Sequence, residues 1–470
     1  MEYALGLDLG TSGCKVAALD AGGHLLATAE ARYPMMVPQP GWAEQHPASW
    51  WRAARRGVLL LADRLPADAV PLGVGVTGQM HSLVAVDSRR RVIRPAILWC
   101  DQRSEPQAQL IARLVGQTRL AEITGNPARS AFTAAKLLWL RDREPDAYAR
   151  LRHAVLPKDW LVSRLTGRIV TEPSDASGTG LLDIRTASWS EQILAWLDID
   201  PGMVAVIQPS FSVVGNVLPE AAAAWGLPPG IPVVAGGGDQ AAAAYSAGAT
   251  GPGVIVCNLG TSAVVLSSQP GPVPGCLSHV VPGQWLYLTS THAGTLCLDW
   301  WSRMAAGSGR ARPAEVLRAA AASEPGARGV RFTPLLMGER DPAPGEPPRT
   351  GSLHGLRAEH TSADLARAVI EGIALEIRRI ARSVPCSGEP QRWRVIGGGS
   401  NAALLVQTLA DVLHQPLQVV SGASSAAGAA RLAWRGLGVE VPQPADGREF
   451  RPSQGIDYDA AFRAYCADVG

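Results

Sequence analysis

The chain has 470 residues, 43 Lys+Arg against 41 Asp+Glu, a formal charge of +2, and 18% charged residues. That balance excludes a nucleic-acid stripe and a charged membrane-binding face, and the length is too great for one core, so two domains are expected. Three of the basic residues are lysines, Lys15, Lys136 and Lys158, which reads as a compositional bias toward arginine. The chain opens on a hairpin from Ala4 to Asp20, a strand to Leu9, then Gly10-Thr11-Ser12-Gly13, then a second strand. A strand follows Gly22-Gly23, and a helix runs from Pro47 through Trp50-Trp51 to Leu61. Leu72 to Gly78 reads as a strand leading to Gln79-Met80-His81. Ser82 to Asp87 alternates as another strand, and Ala96 to Leu98 leads to Trp99-Cys100-Asp101. Ser104 to Leu165 is helical in pattern, and Ser174 to Gly180 is a polar turn of small residues.

The second half starts with an apolar strand from Ile231 that ends in Gly236-Gly237-Gly238-Asp239-Gln240 and opens an alanine-rich helix. A boundary is placed near Ala247 to Gly251, giving domains 1–247 and 248–440, with a 441–470 segment packing back on the first. Leu259-Gly260-Thr261-Ser262 then repeats the Leu9-Gly10-Thr11-Ser12 turn between two strands. Pro342 to Pro348 is a Pro/Gly-rich loop. Thr361 or Ser362 caps a long helix with Leu365, Val369, Ile373, Ile377, Ile380 and Val384 on one face. Strand Arg394 to Ile396 leads into Gly397-Gly398-Gly399-Ser400-Asn401 and a helix to Leu413. Strand Leu417 to Val420 and an alanine-rich helix, Ser424 to Arg435, follow. Strands alternating with helices give an α/β class.

The repeated turn is the central feature. Glycines let backbone N–H groups converge and the hydroxyls add donors, so each copy can hold phosphate oxygens. Asp8 has Asn258 as its counterpart, which makes Asp8 the candidate ligand for Mg²⁺. Lys15 either offsets phosphate charge or is a solvated hairpin lysine. Asp239, after three glycines, is either a general base facing a substrate hydroxyl or a plain helix N-cap. His81 bonds a small polar ligand or is a satisfied core histidine. Trp99 and Asp101 offer an aromatic face and a carboxylate to a sugar, and Gly397 to Asn401 is a bed for a flat adenine ring or a structural turn.

Other motifs fail. Gly73-Val-Gly75-Val-Thr-Gly78 fits G-x-G-x-x-G, but its glycines lie inside a strand. There is no P-loop, no nucleophile elbow, and no metal-ligand spacing among the nine histidines and seven cysteines. The scattered, odd-numbered cysteines, the absence of a basic leader and the lack of a long apolar run lead to the expectation of a soluble, cytoplasmic protein with reduced thiols.

Taken together, Gly6-Leu-Asp8-Leu-Gly-Thr-Ser12, Gly78-Gln-Met80-His81, Arg94-Pro-Ala-Ile-Leu-Trp99-Cys-Asp101-Gln-Arg103, Ser174 to Thr179, Gly237-Gly-Asp239-Gln240, Gly397-Gly-Gly-Ser-Asn401 and Leu409-Ala-Asp411 resemble the FGGY carbohydrate kinases, and among them the xylulokinases. The resemblance implies two ribonuclease-H-like domains of the actin, Hsp70 and sugar-kinase type with an interdomain cleft. It implies ATP and Mg²⁺, with Asp239 as base and, beside Asp8, at the metal. Met80, His81, Asp239 and Gln240 would contact sugar. The two Gly-Thr-Ser turns, with Gly397, Gly398 and Asn401, would contact ATP. It further implies D-xylulose as substrate, no nucleic-acid or membrane partner, and a homodimer as an arrangement common in the family. Gln240, where the family also uses Asn, bears on substrate preference. The alternatives are an FGGY kinase for ribulose, glycerol, gluconate or a deoxysugar, an actin-type ATPase switch, and, more distantly, a nicotinamide enzyme.

Overall fold

A computed structural model describes residues 1–305, 312–339, 349–385, 391–445 and 447–469; the loop expected from Pro342 to Pro348 and Cys386 lie outside these. The chain divides into two compact units. The first comprises 1–251, 268–286 and 422–444, and the second 252–267, 287–421 and 445–470. The leading segment of the first unit ends at Gly251. The expected 441–470 segment does not behave as one piece: residues from 445 onward belong to the second unit, and the helix Ser425–Gly436 joins the first.

The first sheet runs in the order Val213–Asn216, Pro232–Val234, Val70–Gly78, Glu2–Leu9, Gly13–Leu19, Leu25–Arg32. Its first three strands in sequence form an antiparallel meander, and Glu2–Leu9 pairs in parallel with Val70–Gly78. The second sheet repeats that order. Trp285–Thr291, Ala263–Gln269 and Val254–Leu259 stand beside Arg392–Ile396, which runs parallel to Val254–Leu259, then Leu417–Val419 and antiparallel Glu449–Phe450. Both Gly-Thr-Ser turns close the leading hairpin of their sheet, as the repeat requires: Gly10 N donates to Gly13 O at 3.0 Å and Gly260 N to Ser262 O at 2.9 Å.

The glycines of the failed G-x-G-x-x-G have a packing role. A Cβ on Gly75 would stand 1.9 Å from Ala429 O, and one on Gly6 at 1.9 Å from Ala426 O, so the two strands present bare backbone to the helix Ser425–Gly436. That helix is capped by the Ser424 side chain and is small-residue-rich, which allows the approach. The long helix Ser362–Ala381 carries a full capping box, with Thr361 as N-cap and Asp364 reciprocating. Each unit has its own hydrophobic core: one around Ile373, Val395 and Leu409 in the second, and others around Leu7, Val74 and Trp160, and around Leu137 and Ile193, in the first. Among the described residues, six cysteines are free thiols, and no helix is long and apolar enough to cross a membrane.

Candidate active site

The parallel strands of the first sheet end side by side. Asp8 is in register with Thr77, Leu9 with Gly78, and on the other flank Gly237 and Gly238 pair with Thr77 and Gly78. The carboxyl ends of neighbouring strands thus bring Asp8, the Gln79-Met80-His81 turn and Asp239 together, the place where open α/β sheets take ligands.

Asp239 is the first residue of the helix Asp239–Ser246, with Gly238 at the N-cap. The plain capping role is therefore Gly238's position, and the Asp239 carboxylate accepts from Gln240 N at 2.7 Å. Asp8 is half-buried, yet its Oδ1 is sealed from solvent with no hydrogen-bond partner. Burial, and then the nearby Asp239 charge, raise the Asp8 pKa to about 7, with Lys15 pulling the other way. Thr77 Oγ1 and Gln240 Oε1 are also buried and unpaired. Orphaned buried acceptors are what a polar ligand would satisfy. The donor set suits a hard cation: the orphaned carboxylate oxygen of Asp8 close to a second carboxylate fits Mg²⁺.

Met80 is buried, and its thioether would be struck by a Cβ on Gly238 at 2.8 Å, so the glycine admits Met80 against the strand end. His81 has φ 66, an uncommon left-handed backbone for a side chain of that size, and its Nδ1 meets Gly178 O at 2.8 Å. A carbonyl only accepts, so Nδ1 is the donor, and in the neutral ring Nε2 is an acceptor. Thr133 Oγ1 donates to His81 O at 3.1 Å and the Phe132 ring lies 5.0 Å from the imidazole, which hold the turn.

The first Gly-Thr-Ser turn is braced from several sides. Tyr33 OH donates to Gly10 O, Gln45 Nε2 to Thr11 O at 2.6 Å, and Trp99 Nε1 to Thr11 Oγ1 at 3.0 Å. Gln79 Nε2 donates to Gln45 Oε1 at 3.0 Å, tying the turn after Gly78 into the same chain of bonds. Ser12 is exposed. Trp99 thus contacts the first Gly-Thr-Ser turn. Asp101 does not keep its expected place in a sugar pocket. It is buried, with Oδ1 accepting from Arg103 N and Nε and Oδ2 from Ala43 N and Arg103 NH2, because the partner arginine lies two residues on.

In the second unit, Gly260-Thr261-Ser262 and Gly397 end adjacent paired strands, since Asn258 is in register with Ile396. Gly398 and Asn401 are exposed in a short 3₁₀ turn, with Asn401 Nδ2 donating to Gly398 O at 3.3 Å.

Sequence reasoning missed a buried group beneath Asp239. Lys158 Nζ lies 2.5 Å from Asp159 Oδ1, 3.6 Å from Asp175 Oδ2 and 3.7 Å from Glu172 Oε1, all with side chains at most 1% exposed. Burial pulls the Lys158 pKa down, but the three carboxylates outweigh it and hold the ammonium charged. The same burial pushes Asp175 well up, with the Asp159, Glu172 and Asp239 charges adding to the push and Lys158 opposing it. The one signal in the sequence was a lysine in a chain that uses arginine almost everywhere else: of the three lysines, Lys136 and Lys158 are both fully buried.

Family models match most of the chain. Residues 3–246 match the N-terminal domain and 255–437 the C-terminal domain of the FGGY family of carbohydrate kinases. The chain is 36% identical to a xylulose kinase of Escherichia coli K12 over 438 residues, covering 91% of this chain and 89% of that protein. It is 37% identical to a xylulose kinase of Lactococcus lactis, covering 89% and 84%. The xylulose kinase crystal structure from Rhodospirillum rubrum superposes with a TM-score of 0.88 at 29% identity, covering 99% of this chain and 98% of that one. Two matched domain models, a repeated sheet order and paired strand ends bearing Asp8 and Asp239 lead to one assignment: the chain belongs to the FGGY family of carbohydrate kinases.

Proposed function

We propose that the chain phosphorylates D-xylulose from ATP, giving D-xylulose 5-phosphate and ADP, with Asp239 as general base. The observation that carries this reading is the pairing of strand ends that sets Asp239 beside Asp8 and the Met80-His81 turn, together with the unpaired acceptors Gln240 Oε1 and Asp8 Oδ1. The shared name of the similar proteins supports D-xylulose over ribulose, glycerol, gluconate or a deoxysugar, and over a protein-binding ATPase switch.

In the reaction the terminal hydroxyl of the ketose gives its proton to the Asp239 carboxylate as its oxygen bonds to the γ-phosphorus and the bond to the ADP oxygen breaks. His81 Nε2 accepts from a sugar hydroxyl, Gln240 Oε1 from another, and Met80 forms the apolar wall. Thr11 and Ser12, and Thr261 and Ser262, donate to phosphate oxygens, with Gly10 and Gly260 closing the turns that present them, while Gly397, Gly398 and Asn401 take the adenine. Asp8, with Asp239, would hold Mg²⁺. When bound, the cation would supply positive charge that neutralises the phosphate.

The test is a coupled ADP-release assay with Mg·ATP and D-xylulose, D- and L-ribulose, glycerol, gluconate and L-fuculose. D-Xylulose should give the highest kcat/KM; preference for another sugar would replace the substrate, and indifference to all of them would favour the ATPase switch. Asp239→Asn should lower kcat by roughly 10²- to 10⁴-fold while ATP still binds. Near-normal turnover would remove Asp239 as base.

A further inference from the structure

The segment that delivers Asp239 is three consecutive glycines, Gly236 to Gly238, which have no side chains to lock them. Beyond the pairing of Gly237 and Gly238 with Thr77 and Gly78, it is held from one carboxylate. Ser174 Oγ accepts from Gly238 N at 2.9 Å and donates to Glu172, 2.7 Å from Oε1 and 2.9 Å from Oε2. On the other side of Gly237, Gly236 N donates to Ser210 O at 2.8 Å, and Ser210 Oγ donates to Glu172 Oε2 at 2.7 Å. Glu172 also accepts from Ser174 N at 2.9 Å and Asp175 N at 2.8 Å. Lys158 stands over these carboxylates at the distances given above, a compact ammonium that a planar guanidinium would not replace. Both anchors of the glycine segment therefore converge on Glu172.

We propose that Ser174 and Glu172, backed by Lys158, form a positioning unit that fixes the Gly236-Gly238 segment so that the Asp239 carboxylate meets the substrate hydroxyl in reacting geometry. This rests on Asp239 being the base. Reacting groups must be held within about half an ångström, and a misplacement of about 1 Å can cost roughly 100-fold. None of these side chains needs to touch sugar, so the loss falls on turnover.

The experiment compares Ser174→Ala, Ser174→Thr, Ser210→Ala and Asp239→Asn in steady-state assays with D-xylulose and ATP, with hydrogen exchange of the peptide spanning residues 236–240. Ser174→Ala should lower kcat about 10- to 100-fold, leave both KM values near those of the parent, and speed exchange in that peptide. Ser174→Thr, which keeps the hydroxyl, should recover most of the turnover. Ser210→Ala, a milder cut that leaves the Ser174 to Gly238 bond, should move kcat the same way by less and stands in if Ser174→Ala does not fold. Unchanged kcat in Ser174→Ala and Ser210→Ala with an inactive Asp239→Asn overturns the positioning unit alone. An active Asp239→Asn overturns the base assignment and the unit with it.

Discussion

Asp8 shows how the site spends stability on function. Its carboxyl titrates near pH 7 because burial and Asp239 oppose its ionisation, whereas in the unfolded chain it titrates in the ordinary range. A raised carboxyl binds its proton more tightly in the folded state, so the fold loses stability as pH climbs from the unfolded pKa to about 7 and the full penalty is present above that. Asp8→Asn removes the penalty. Its melting temperature without ligand should exceed that of the parent at pH 8, and the gain should shrink as pH is lowered toward 4; an equal gain at both ends would deny the coupling. Asp8 and Asp239 were legible because a carboxylate at the end of an apolar strand beside glycines has few structural uses. Asp101 looked similar, but its arginine two residues on consumes both oxygens, and no pattern in the chain announces that pairing. Lys158, Glu172 and Ser174 were not legible as a group, because their meaning depends on a bond to Gly238 made across 64 residues.

At the scale of elements, what was local could be read and what was distant could not. The helix expected from Pro47 runs Pro47–Ala62, and the one expected after Thr361 runs Ser362–Ala381 with Thr361 at its cap. Thr361→Ala should cost about 1 kcal/mol, read as a lower urea midpoint, because the hydroxyl accepts from Asp364 N and donates to the Asp364 carboxylate. The glycines at 73 and 75 resembled a dinucleotide fingerprint because their reason lies in a helix some 350 residues later, as the contact of Gly75 with Ala429 shows. Gly75→Ala should force that helix outward and destabilise by about 1–3 kcal/mol, the usual range for overpacking. Denaturant midpoints decide it, and a variant as stable as the parent would mean that the helix yields at no cost.

For the molecule as a whole, the repeated turn made the repeated sheet legible, since both copies close the same hairpin in the same strand order. The path of the chain was not legible: it returns to the first unit at 268–286 and again at 422–444, and only long-range packing such as that of Gly6 against Ala426 records this. Separate cores in the two units lead to the expectation of more than one thermal transition. Scanning calorimetry should resolve them, and equal calorimetric and van't Hoff enthalpies would show that the units melt together. The scarcity of lysine has a practical consequence for anyone handling the protein. With Lys136 and Lys158 sealed in the interior, the lysine amine open to an acylating dye is that of Lys15, across the hairpin from Asp8. Once the α-amino group is blocked, an ordinary succinimidyl ester thus becomes a label for one lysine, placing a fluorophore beside the first Gly-Thr-Ser turn without any engineered cysteine.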